Sequence, residues 1–127
     1  MADNAQIATA YVQAVGDGRL NEVATYLHRD VTFESPGLPS YGGAEDYLAA
    51  LERLRPIIAH NDIRSVLADG ERVCVLYDFV TDTPVGAVVS AEWLTLKDGV
   101  ISSVYLLFDK ARWPEVLEHL GVGAASA

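Results

Sequence analysis

The residue of this chain with the greatest capacity for chemistry is Glu92, in the stretch VVSAEWLTLK at 88–97. Apolar and mixed residues alternate there with a period of two, the mark of a strand with one buried face. On the face shared by Val88, Ser90 and Leu94, Glu92 is the one ionisable group. A carboxyl enclosed by apolar side chains loses hydration, which raises its pKa and lets it give and take a proton near neutral pH. The plain alternative is a solvated glutamate on an outer face, and the direction of the strand decides between the two.

Catalysis by a lone carboxyl needs hydrogen-bond donors beside it. Tyr11, on an N-terminal helix, and Tyr77, on the strand before that of Glu92, supply phenols that stay protonated at neutral pH. His60, in PIIAHND after the third helix, titrates near neutrality without a large shift and is a candidate partner. His28 and His119 read as solvated helix residues. The three histidines show no HxH or HxxxH spacing and no Gly-rich loop follows a strand, so neither a metal nor another cofactor is expected.

Composition narrows the partners. A net charge of −9, with scattered basic residues, disfavours nucleic acid and anionic membranes. No apolar run approaches the ~20 residues that span a bilayer, and MADNAQIATA lacks the basic start of a signal peptide. The one cysteine, Cys74, precludes an internal disulfide, and a cytoplasmic location is expected. What remains is a hydrophobic small molecule as substrate or ligand.

Several elements must position these groups. Ile7, Ala8, Tyr11, Val12 and Val15 fall at helical spacing over residues 4–15, with Asp3 and Gln6 as a capping box. Leu20, Val23, Ala24 and Leu27 predict a second helix, and Tyr47, Leu48, Leu51 and Leu54 a third over 44–55. A short strand is expected at 31–34, a Pro/Gly loop at 35–43 and a strand at 63–68. Asp69-Gly70, the TDTP run and Asp98-Gly99 are turns, which makes the last four strands antiparallel neighbours. A short helix follows at Pro114, ended by Gly121. Helices early and strands late give an α+β fold, one domain over 1–127 with a loose tail at 121–127.

If Glu92 points inward, alternation sends Val75, Tyr77 and Phe79 inward on one neighbouring strand and Val104, Leu106 and Phe108 on the other. Tyr47 and Ser35 complete the expected wall of a binding cavity. Trp93 and Tyr105 then face outward as an aromatic patch, which predicts a homodimer through the outer sheet face.

The stretches AYVQAVGDGRLNEVATYLHRDVTFESPG, GGAEDYLAAL and VVSAEWLTLKDGVISSVYLLFD resemble the SnoaL-like and ketosteroid-isomerase-like branch of the NTF2-like superfamily. The resemblance covers nearly the whole chain. It implies a cystatin-like, cone-shaped barrel with three helices on a curved antiparallel sheet. It implies cofactor-free acid/base chemistry of the isomerase, cyclase or epoxide-hydrolase type, or a non-catalytic binding or dimerisation module of the same fold. By this resemblance Tyr11 matches the isomerases' oxyanion tyrosine and Glu92 their protonated acid, while Ser35 stands where they carry the aspartate base. A weaker similarity to limonene-epoxide hydrolases puts Leu106 where those enzymes need an aspartate.

Overall fold

The computed structural model describes residues 3–121; of the expected loose tail, residues 122–127 lie outside the described residues. The chain order is α1 (Asn4–Gly16), α2 (Leu20–Tyr26), β1 (Leu27–Glu34), β2 (Tyr41–Gly42), α3 (Ala44–Leu54), a 3-10 turn at Arg55–Ile57, β3 (Ile58–Asp69), β4 (Arg72–Thr81), β5 (Ala87–Lys97), β6 (Val100–Phe108) and α4 (Trp113–Glu118). The sheet runs β2-β1-β6-β5-β4-β3. It is curved and open, with β2 and β3 at its edges, so the cone is not a closed barrel.

Local chemistry explains the elements. Asp3 accepts from the Gln6 backbone N–H at 2.8 Å, and the Gln6 side chain accepts from the Asp3 N–H at 2.9 Å, closing the capping box that starts α1. The β5–β6 hairpin turns on Asp98 and Gly99, both at positive φ (53° and 81°), the geometry that favours Asp-Gly in two-residue hairpins. β3 to β6 form the antiparallel meander that the turns predict.

Three elements depart from expectation. Leu27 begins β1 and does not end α2, and β1 extends over eight residues because it pairs in parallel with β6. That pairing lies across most of the chain, and local pattern carries no trace of it. β2, a two-residue strand, forms inside the Pro/Gly loop. β3 begins at Ile58, so His60 sits in a strand and not in a loop.

Strand β5 buries alternate residues from Val88 to Leu96. The main core joins that inner face to α1, α2 and α3, with Tyr11, Val12, Val23, Val31, Val75 and Leu94 among its fully buried side chains. A smaller cluster of Ile57, Trp113, Val116 and Leu117 gathers around α4 and touches Phe79 and Phe108. Members of both clusters line a cavity. Among the described residues no helix is long and apolar enough to cross a membrane.

Helix α1 approaches the sheet edge closely at its C-terminus. A Cβ added at Gly16 would stand 2.4 Å from the Asn61 backbone nitrogen, and Asn61 Nδ2 donates to the Val12 carbonyl at 2.9 Å. Alanine gains up to about 1 kcal/mol over glycine in a helix, and overpacking against backbone costs ~1–3 kcal/mol. The clash should win. Gly16→Ala is expected to lower the urea midpoint, with a net loss of about 1–2 kcal/mol; an unchanged or higher midpoint would contradict the close packing.

Candidate active site

Glu92 points inward and is 5% exposed. It lies at the wall of a cavity of about 370 Å³, within the range of small-molecule sites. Burial pushes its carboxyl up to about 7, and a hydrogen bond from Tyr77 pulls part of the way back. The lining contains one other charged residue, Arg53.

Three tyrosines answer the carboxyl. Tyr77 pairs across the β4–β5 register with Ser90, one inward position from Glu92, and so reaches Glu92 diagonally. Tyr47, from α3, lines the cavity and stacks on Phe33 with ring centroids 4.9 Å apart. Its hydroxyl is hydrogen-bonded to that of Tyr11. Burial, reinforced by the neighbouring Glu92 and tyrosines, raises Tyr11 and Tyr77 well above the ordinary phenol value. Tyr47 is raised too, by burial first and then by Glu92. All three therefore remain neutral donors wherever Glu92 titrates.

The sequence-predicted residues fall into distinct places. Tyr77, Phe79, Ser90, Glu92, Leu106, Phe108 and Tyr47 line the cavity. Val75, Val88, Leu94 and Val104 face inward but are buried outside the lining, because helices or neighbouring strands cover the sheet there. Tyr11 is fully buried behind Tyr47 and does not reach the cavity wall. Ser35 is also buried outside the lining, its hydroxyl donating to the Leu106 carbonyl at 2.7 Å. The adjacent Glu34 is exposed, so the end of β1 offers no inward carboxylate. His60 is exposed, 3.3 Å from Asp62, and is not a cavity residue.

His60 faces out because β3 carries register shifts between Ile58 and His60 and between Ile63 and Ser65. The first of them brings Asn61 inward. Its Oδ1 is buried with no partner, as is Nε1 of Trp113. Sequence reasoning missed Asn61, Trp113, Leu38 and Arg53 as lining residues. For Trp113 a signal existed, since Trp113, Val116, Leu117 and Leu120 recur at helical spacing through α4 and the turn that follows it. Trp113 packs edge-on to Phe108 at 5.1 Å. For Asn61 none did, because a bulge breaks the alternation from which inward residues are read. Among the described residues no group of three or more His, Cys, Asp or Glu side chains gathers as a metal site.

Comparison with known proteins assigns this architecture. The SnoaL-like domain model matches residues 8–104. The chain belongs to the SnoaL-like family. That family includes isomerases and cyclases. Among solved structures, the SnoaL-like chain is similar to an NTF2-like protein of unknown function from Cytophaga hutchinsonii (18% identity, 89% of this chain and 96% of that one, TM-score 0.77). It is similar to a hypothetical protein with a ketosteroid isomerase-like fold from Catenulispora acidiphila, in complex with trimethylamine (21% identity, 94% and 95%, TM-score 0.75). A de novo designed protein with a curved β-sheet matches equally well (18% identity, 95% and 98%, TM-score 0.77). At these identities the likeness establishes the NTF2-like fold. Among curated proteins the sequence finds no match.

The raised Glu92 has a consequence for stability. Its folded pKa of about 7 exceeds the ordinary 4.5, so between those values the folded state holds a proton that the unfolded state has released. Stability from this group is therefore greatest below about pH 4.5, falls as pH rises to about 7, and is level beyond. The drop is of order 3 kcal/mol at ~1.4 kcal/mol per pKa unit. Glu92→Gln should be more stable than wild type at pH 8 in urea titrations, and should lack that fall between pH 4.5 and 7. Equal pH profiles for the two proteins would refute the burial of the carboxyl.

Proposed function

We propose that this SnoaL-like protein is a cofactor-free acid/base catalyst acting on a hydrophobic small molecule, with Glu92 as proton carrier. One observation supports it above all: a carboxyl buried in an apolar cavity, flanked by neutral phenols, with its pKa brought to about 7. As carboxylate, Glu92 takes a proton from carbon next to a substrate carbonyl. The C–H electron pair forms the new C=C bond, and the carbonyl oxygen gains the negative charge of an enolate. The Tyr47 hydroxyl, backed by Tyr11, donates to that oxygen, and Tyr77 orients the carboxyl. Return of the proton from Glu92 to a different carbon completes an isomerisation. Attack of the enolate carbon on an internal carbonyl, whose oxygen takes the proton held by Glu92, completes a cyclisation. In epoxide opening, protonated Glu92 gives its proton to the ring oxygen as the C–O bond breaks and one water admitted with the substrate adds to the carbon, that water's proton returning to the carboxylate. The apolar wall orients the substrate and excludes other water. His60 has no part in this mechanism, because it is exposed beside Asp62. The single, disulfide-free Cys74 fits a cytoplasmic setting.

A second function, binding of an apolar ligand without chemistry, is favoured by one observation. Ser35 is committed to the Leu106 carbonyl, so the site lacks the second acid found in the isomerases that the chain resembles. Proton washout separates the two. In D2O, wild type should accelerate exchange of the α-protons of 2-tetralone, an apolar enolisable ketone, followed by NMR. The rate should rise with pH through a midpoint near 7, as a carboxylate base requires. Glu92→Gln should lose ~10²–10⁴ of that acceleration. Ketone binding with no washout in wild type would select the binding module.

We further infer that the chain pairs with a second copy through the outer sheet face. Leu67, Cys74, Trp93 and Tyr105 form one cross-strand row there, and Leu76, Ala91 and Leu107 the next. Trp93 is 52% and Leu67 70% exposed. The one charge in these rows is Glu34, at the β1 end beside Tyr105; the rest is uncharged, which favours a like copy, because two chains of net charge −9 repel least across uncharged surface. Wild type should sediment as a dimer at micromolar concentration and Trp93→Glu as a monomer. A monomeric wild type removes this pairing.

A further inference from the structure

Charge along the cavity is divided between its depth and its rim. Glu92 is buried, whereas Arg53, in the last turn of α3, is exposed at the opening. Arg53 has no acidic neighbour at helical spacing: Ala49, Ala50, Pro56 and Ile57 occupy the positions three and four residues away. Arg19 meets Glu22, Arg55 meets Glu52 and Arg112 meets Glu115, while Arg72 and Lys97, on β4 and β5 away from the cavity lining, share with Arg53 the lack of an ion pair among the described residues. Among the described residues, the one hydrogen bond of Arg53 is a long contact, 3.5 Å, to the hydroxyl of Tyr41, itself a lining residue. Lys110 Nζ stands 5.3 Å from the ring centroid of Phe108, another lining residue. Among the described residues, neither Arg53 nor Lys110 forms an ion pair. In a chain with 18 acidic and 9 basic residues, one unpaired cation, Arg53, thus lines the cavity and a second, Lys110, lies over the ring of a lining residue.

We infer that the cavity takes an apolar carboxylic acid, with its carboxylate at the rim on Arg53 and Tyr41 and its far end at Glu92. The guanidinium fork matches a carboxylate with two parallel N–H···O bonds, and Tyr41 adds a third donor. Lys110, over Phe108, adds positive potential near the cavity and helps draw an anion toward a protein that is negative as a whole. The reverse orientation would press the carboxylate against the Glu92 carboxyl in an apolar enclosure, where like charges are most costly. Charge therefore sets which end of the molecule reaches Glu92. This assignment rests on the cavity being the ligand site proposed above.

Calorimetry with a matched pair of probes tests it. At pH 8 and low salt, 2-naphthylacetate should bind wild type at least tenfold more tightly than neutral 2-(2-naphthyl)ethanol. Arg53→Gln should reduce the acid to the affinity of the alcohol and change the alcohol less than twofold. Arg53→Lys should recover part of the loss, since it restores charge without the fork. Added salt should weaken the acid alone. If the alcohol matches the acid in wild type, or Arg53→Gln leaves the preference intact, the carboxylate assignment is overturned and the apolar cavity stands. If neither probe binds, the cavity as a ligand site is overturned with it.

Discussion

The arrangement turns on the desolvation of one carboxyl group. Burying Glu92 removes its hydration, and what replaces the water is a set of neutral phenols. An arginine or lysine at that depth would have trapped the group as a carboxylate of low pKa, useful for structure and inert as an acid. Here the lining's only cation sits at the rim. The carboxyl is left between its two protonation states near neutral pH, at a cost in stability that the surrounding core must offset.

That core is divided to serve the cavity. Toward the side of Val73, Leu94 and Val104, helices and sheet pack closely and the inward residues are ordinary core. Toward Phe79, Ser90 and Phe108 the same inner face stands off from α3, and the small α4 cluster closes the side of the cavity between them. Tyr47 belongs to both regimes, holding Tyr11 on one side and presenting to the cavity on the other. A designed protein reaches the same curved architecture. The curvature is therefore a property of the sheet, and any activity resides in the side chains along its inner face.

Much of this was legible from residue order. Alternation along VVSAEWLTLK sorted the residues that share a face with Glu92 but left open which way that face points, and the TDTP run and Asp98-Gly99 marked the hairpins whose register carries Glu92 to Tyr77 and Leu106. The resemblance to SnoaL-like chains pointed to the right family. Positions where a local rule was broken from a distance were not legible. His60 and Asn61 exchange sides at a bulge, and Tyr11, aligned with a catalytic tyrosine, ends behind Tyr47.

By itself, then, the sequence determined the α+β element order, the meander and which strand residues share a face. These follow from periods of two and 3.6 residues and from turn chemistry, which act over a few neighbours. Tertiary structure alone decided the parallel β1–β6 pairing, the open cavity in place of a filled core, and the choice of Tyr47 over Tyr11 as the phenol at its wall. It also decided that, among the described residues, no carboxylate from a distant element pairs with Arg53. Each of these depends on how elements distant in the chain approach one another, and packing between such elements leaves no periodic trace in the order of residues.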